Sequence, residues 1–137
     1  MLLVSALDVL AAALAQEPVV RLAVLFGSAA TRSDGPPSDL DVGVLLSTES
    51  IDLSALGVRL ERATGRPVDL VDLAAAPPLL RLEIARHGEV LLEREPHTWA
   101  ECRAHAMIDW WDWAPTARMA HRALMGRLRE EAARGRS

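Results

Sequence analysis

Residues 24–46 read VLFGSAATRSDGPPSDLDVGVLL. An apolar run ends in Gly27-Ser28, ten residues follow, and Asp39-Leu40-Asp41 opens a second apolar run. The runs at 19–26 and 40–46 have the length and composition of buried strands. Between them, 33–38 carries Gly35, Pro36 and Pro37 and is expected to be a loop. On a strand, residues i and i+2 share a face, so Asp39 and Asp41 project together, roughly 6.5–7 Å apart along the chain. Like charges so placed repel unless a cation lies between them. Their hard oxygens suit Mg²⁺, which takes one or two carboxylates plus substrate phosphates. Two such ions clamp the attacking and leaving oxygens of a phosphoryl displacement. Gly27 has no Cβ and lets a phosphate approach the backbone. A helical turn starting at Ser28 would aim free N–H groups at that anion, and the Ser28 hydroxyl adds a donor.

A third carboxylate would complete the metal site. The strand expected at 67–73 offers Asp69 and Asp72, which by the period of two point to opposite faces. Asp69 sits mid-strand among apolar neighbours and is the candidate ligand. Asp-x-Asp alone is expected by chance at about 0.6 per chain of this composition, so the fixed spacing to Gly27-Ser28 carries the signal.

The rest of the pattern frames these strands. Apolar residues from Leu2 to Leu14 recur at helical spacing. Leu53, Leu56, Leu60 and Ala63 make one helix face, with Asp52 as N-cap and Gly65 as stop. Pro77-Pro78 can open another helix, closing at His87-Gly88. A short strand is expected at 90–93. Thr98-Trp99-Ala100-Glu101 fits a capping box for a helix to about Trp113, which Pro115 breaks, leaving a last Arg-rich helix at 116–133. Trp99, Cys102, Ala106, Trp110 and Trp113 lie at helical spacing and read as core. The adjacent Trp110-Trp111 cannot face one way, so one indole is expected to be exposed or to meet a partner chain. Cys102 is expected to be buried and inert. The four His show no metal spacing, and Arg118, Arg122, Arg127 and Arg129 read as a solvated helix face. The elements alone indicate an α/β or α+β domain with a small sheet, strand order and direction left open.

Composition narrows the chemistry. The 137 residues suit one domain, and half are apolar, enough for a core without disulfides. The single Cys excludes an internal disulfide and a Cys-based zinc cluster. All fifteen basic residues are Arg, so a P-loop lysine and Schiff-base chemistry are excluded. There is no Tyr. A net charge of −4 is a poor match for nucleic acid. The charge is uneven: residues 1–100 carry eight Arg against fourteen acids, and 101–137 seven against five. Residues 1–14 lack a basic n-region, Asp8 interrupts their apolar run, and no stretch suits a bilayer span, so a cytoplasmic location is expected.

Gly-Ser, ten residues and Asp-x-Asp resembles the signature of the polymerase-beta-type nucleotidyltransferase superfamily. The short length, Phe26-Gly27-Ser28, Ser38 before Asp39, and Val68-Asp69-Leu70-Val71 are similar to its smallest branch. These are the minimal nucleotidyltransferases (MNT), antitoxins that pair with HEPN ribonucleases. GEVLLE at 88–93 and DWWDWAP at 109–115 sit where that family has similar segments. The family often reads Gly-Ser-x-Ala-Arg-Gly; here Ala30 fits, while Thr31-Arg32 replaces Arg-Gly and displaces the Arg by one position.

The resemblance implies one α/β (α+β) domain: a small mixed sheet of about four strands flanked by helices. Residues 1–95 would be the catalytic core and 96–137 a C-terminal helical extension. It implies transfer of AMP from ATP, with two Mg²⁺ ions on Asp39, Asp41 and Asp69, to a tyrosine hydroxyl of a HEPN toxin. Gly27 and Ser28 would hold the β,γ-phosphates, with Arg32 as a further nucleotide-binding candidate, and Asp69 would orient or deprotonate the hydroxyl. The missing Tyr agrees that the acceptor lies in another chain. No direct nucleic-acid or membrane partner is expected. Two alternatives remain: an antitoxin that neutralises by binding alone, and a small-molecule nucleotidyltransferase, for which 137 residues leave little room.

Overall fold

The structure, a computed structural model, describes residues 5–27 and 39–135. Helix α1 (Ala6–Ala15) starts where Ser5 and Asp8 cap each other reciprocally: the Asp8 N–H donates to the Ser5 hydroxyl at 3.1 Å, and the Ser5 N–H to the Asp8 carboxylate at 3.3 Å. Helix α2 (Leu53–Thr64) has the expected ends. The Asp52 carboxylate accepts from the N–H groups of Ser54 and Ala55, and Gly65 stops the helix in the left-handed region. Helix α3 (Pro78–His87) opens on its proline.

Strands β1 (Val20–Phe26), β2 (Leu40–Leu46), β3 (Val68–Asp72) and β4 (Glu89–Glu93) form one sheet in the order β3-β2-β1-β4. β1 runs antiparallel to both β2 and β4, and β2 runs parallel to β3, so the sheet is mixed. The parallel pair is what α2 makes possible, because a parallel return needs a long crossover. From Leu22 to Leu25 β1 is buried on both faces, which explains the apolar run that follows Arg21. Leu10, Leu14, Leu56 and Leu60 cover one face against Ala23, Leu25, Val42 and Val44. Ile84 and Trp99 cover the other, against Leu22 and Val24. A register shift between Val20 and Leu22 sends these two residues, of equal parity, into opposite cores. Arg94 ties the edge together: its guanidinium donates to the carbonyls of Val20 (2.6 Å), Ala15 (3.1 Å) and Glu17 (3.0 Å).

Two expectations at the C-terminal end are corrected. Pro115 does not break the chain into two helices; α4 (Thr98–Gly135) runs through it for 38 residues. A proline inside a helix removes one backbone bond, here to the Trp111 carbonyl, and costs about 3 kcal/mol. Residues 111 and 115 are both exposed, so water can serve that carbonyl, and Ala114, Ala117, Ala120 and Ala123 favour the helix on either side. The capping box does not form either. Thr98 turns its hydroxyl back to the Glu95 carbonyl (2.9 Å), and the Trp99 N–H donates to the Glu93 carboxylate (2.8 Å). His97, at φ +71°, aims the chain into the helix, and its carbonyl already accepts from the Glu101 N–H.

Pro115→Ala should supply the missing backbone bond and stabilise this helix by up to about 3 kcal/mol. Circular dichroism should show equal or higher helicity and a later thermal loss of it. A fall in helicity would mean that Pro115 separates two helices.

Candidate active site

The end of β1 meets the beginnings of β2 and β3. Phe26 is the register partner of Asp41 on one side, and Asp69 is its partner on the other. Register neighbours on adjacent strands lie about 4.8 Å apart and share a face. The fold therefore sets the Asp41 and Asp69 side chains next to each other. Asp39, exposed, stands immediately ahead of β2. Asp41 is half-buried, and its pKa is raised above the ordinary carboxylate value, first by burial, then by the charge of Asp69, then by that of Asp39.

Gly27 makes this packing possible. Its φ is +72°, and a Cβ added there would collide with Oδ2 of Asp41. Only glycine allows both the left-handed turn and the approach of the Asp41 carboxylate to the backbone. Ser28 and Arg32, the other candidate phosphate-holding residues, lie outside the described residues, as does the expected loop at 33–38. Asp72 is elsewhere: it partners Val44, and its carboxylate accepts from the Ala74 N–H at 3.0 Å, capping a turn. Of the two acids on β3, Asp69 alone joins Asp41.

The donor set fits a hard divalent cation in kind, since all the crowded ligands are carboxylate oxygens. Among the described residues, no three His, Cys, Asp or Glu side chains form a closed metal cluster. An ion held here needs oxygens from a second source, and substrate phosphates are the natural one for Mg²⁺. Missed by sequence reasoning is a groove of about 290 Å³ between α2 and the edge strand β3. Asp69 lines it together with Ser54, Gly57 and Val58. No periodicity announces such a groove, because it arises from how α2 returns across the sheet. Cys102 is half-buried, and burial pushes its thiol pKa up against the opposing pull of Arg81.

Residues 9–97 match the family model described as polymerase beta, nucleotidyltransferase. The chain belongs to the polymerase beta nucleotidyltransferase family. The match takes in all four strands of this nucleotidyltransferase and stops where α4 begins. No curated protein sequence matches the chain. Among solved structures, it is similar to a chain in a toxin–antitoxin crystal structure with AMP-PNP (TM-score 0.75, 21% identity, covering 87% of this chain and 98% of that one). It is also similar to a chain in the toxin–antitoxin MntA-HepT (0.71, 20%, 88% and 97%). A third is a chain in the complex of tri-AMPylated Shewanella oneidensis HEPN toxin with MNT antitoxin (0.70, 20%, 87% and 98%).

The raised pKa of Asp41 has a consequence for stability. The folded nucleotidyltransferase holds that proton more tightly than the unfolded chain, so the contribution favours folding at low pH and is lost as pH rises through the raised value. At neutral pH without divalent ions, the ionised cluster opposes folding. Asp41→Asn should therefore melt higher than the unaltered chain at pH 7–8 in chelator, and the gain should fade as pH falls into the carboxylate range. A gain that persists or grows on acidification would contradict this electrostatic account.

Proposed function

We propose that this nucleotidyltransferase is a cytoplasmic antitoxin that transfers AMP from ATP to a tyrosine hydroxyl of a HEPN ribonuclease toxin. The observation that carries the reading is the register pairing of Asp41 with Asp69 beside the Gly27 turn, in a chain of this family. The neighbouring folds, found in toxin–antitoxin complexes, supply the partner. Residues 1–95 act as the catalytic core and 96–137 as the extension. No described helix is long and apolar enough to cross a membrane.

In this reading Asp39, Asp41 and Asp69 hold two Mg²⁺ ions, which neutralise the triphosphate and the charge that develops on the leaving group. Gly27 and Ser28 hold the β- and γ-phosphates, and Arg32 is a further nucleotide-binding candidate. Asp69, at the open edge strand, orients the acceptor hydroxyl and takes its proton. The hydroxyl oxygen forms a bond to the α-phosphorus, the α–β bridging P–O bond breaks, and pyrophosphate leaves. The work is positioning and charge neutralisation, for which a small rigid sheet suffices. The acceptor tyrosine is in another chain, because this one has none.

Two measurements test the proposal. Co-expression with a HEPN-family toxin, followed by intact mass, should show the toxin heavier by whole AMP units. Asp39→Asn and Asp41→Asn should each abolish the increase. A neutralised toxin of unaltered mass would establish inhibition by binding alone. Separately, Asp69→Ala should lower the transfer rate at least about 100-fold while nucleotide affinity changes far less. Asp72→Ala should behave like the unaltered enzyme; the reverse pattern would move the third carboxylate to Asp72.

A further inference from the structure

The buried residues of α4 are Thr98, Ala106 and Ala114, so the helix has no buried residue beyond position 114. The 21 residues that follow rise about 30 Å past that point. In proteins most helical stability comes from packing an apolar face rather than from intrinsic propensity. Trp110, Ala114, Ala117, His121, Leu124 and Leu128 repeat at alternating steps of three and four, the seam of a helix made to pack on another helix. Leu124 is 48% and Leu128 47% exposed. At its inner end the seam reaches the body: a groove of about 530 Å³ runs from Leu79 of α3 along Trp110 and Trp113, whose tilted rings lie 5.4 Å apart, to His121 and Arg122.

One border of the seam is basic. Trp111, 68% exposed, lies on it with Arg118, Arg122 and Arg129 at helical spacing. Among the described residues these three Arg make no ion pair. A second copy of this helix is a poor cover. Packed antiparallel, it sets the Arg border against itself; packed parallel, it brings Trp113, Ala120 and Arg127, none of them acidic. We infer that the outer half of α4 is the docking arm for another protein: a helical surface whose apolar strip is bordered by Asp and Glu. Resting on the function proposed above, that protein is the toxin, held by α4 while its tyrosine reaches Asp69. The Arg border is then a recognition element rather than a solvated face, and Trp111 is its aromatic anchor.

The test titrates the full chain against a HEPN-family toxin, by calorimetry and at several salt concentrations. Trp111→Ala and Leu128→Glu should each weaken binding at least about 30-fold while helicity and melting temperature stay unchanged. Replacing Arg118, Arg122 and Arg129 together by Glu should also weaken it and flatten its salt dependence. Unaltered affinity in all three variants, no binding by the unaltered chain, or a homodimer that Leu128→Glu dissolves would each overturn the inference. The two readings separate by mass. Loss of binding in the α4 variants with a toxin that never gains AMP keeps the arm and removes the transfer activity. AMP addition that proceeds equally with Leu128→Glu keeps the activity and removes the arm.

Discussion

Everything at the site depends on holding carboxylates closer together than they would choose. The parallel pairing of β2 with β3 sets Asp69 beside Asp41, and the pKa of Asp41 is raised first by burial and then by the charges of Asp69 and Asp39. Repulsion of this kind is tolerable only if the backbone around it is fixed by something stronger. Here the fixing force is hydrophobic: Leu40 and Val42, the sequence neighbours of Asp41, are fully buried, as is Leu25, the partner of Val42 on β1. Burying such side chains contributes about 1.5–3 kcal/mol each, more than a partly solvated like-charge pair opposes. The strand thus carries alternating residues with opposite tasks, apolar ones toward α1 and α2, acidic ones toward the open end.

Gly27 is the hinge of this arrangement in a chemical rather than a mobile sense. Because a side chain there would strike the Asp41 carboxylate, that carboxylate lies directly against the Gly27 backbone. The family-wide match covers this part of the chain and no more, which agrees with the chemistry residing in the sheet.

The sequence made the elements of this site legible because each carries its own local signal: Gly-Ser at a strand end, Asp-x-Asp at a strand start, Asp69 alternating with apolar neighbours. The choice of Asp69 over Asp72 rested on its mid-strand place among apolar neighbours, and the register places Asp69 beside Asp41. The direction of β3 relative to β2 was not legible, since strand pairing is decided by how α2 crosses back, not by any residue on β3. Pro115 misled for a different reason. Proline removes one hydrogen bond, and whether a helix ends there depends on what surrounds it; exposed neighbours and alanines on both sides leave the loss affordable. The capping box failed because Glu93 and Glu95, on the preceding strand and turn, reach the helix start before Glu101 can.

The body and the long helix are physically distinct, but they are not independent. α4 is fixed to α3 by the Arg81–Asp109 ion pair and by the Arg103 guanidinium, which donates to the Ala85 carbonyl at 3.0 Å and lies over the Trp99 ring. α3 in turn packs Ile84 onto the sheet face that bears Asp41. A load applied to the outer half of α4 is therefore carried through side chains to the strands that hold the acids, with no flexible linker on the way. A partner gripped along that helix would be held at a fixed distance from the site. Under the proposed function, that fixed distance is what aims the site at one hydroxyl of the acceptor.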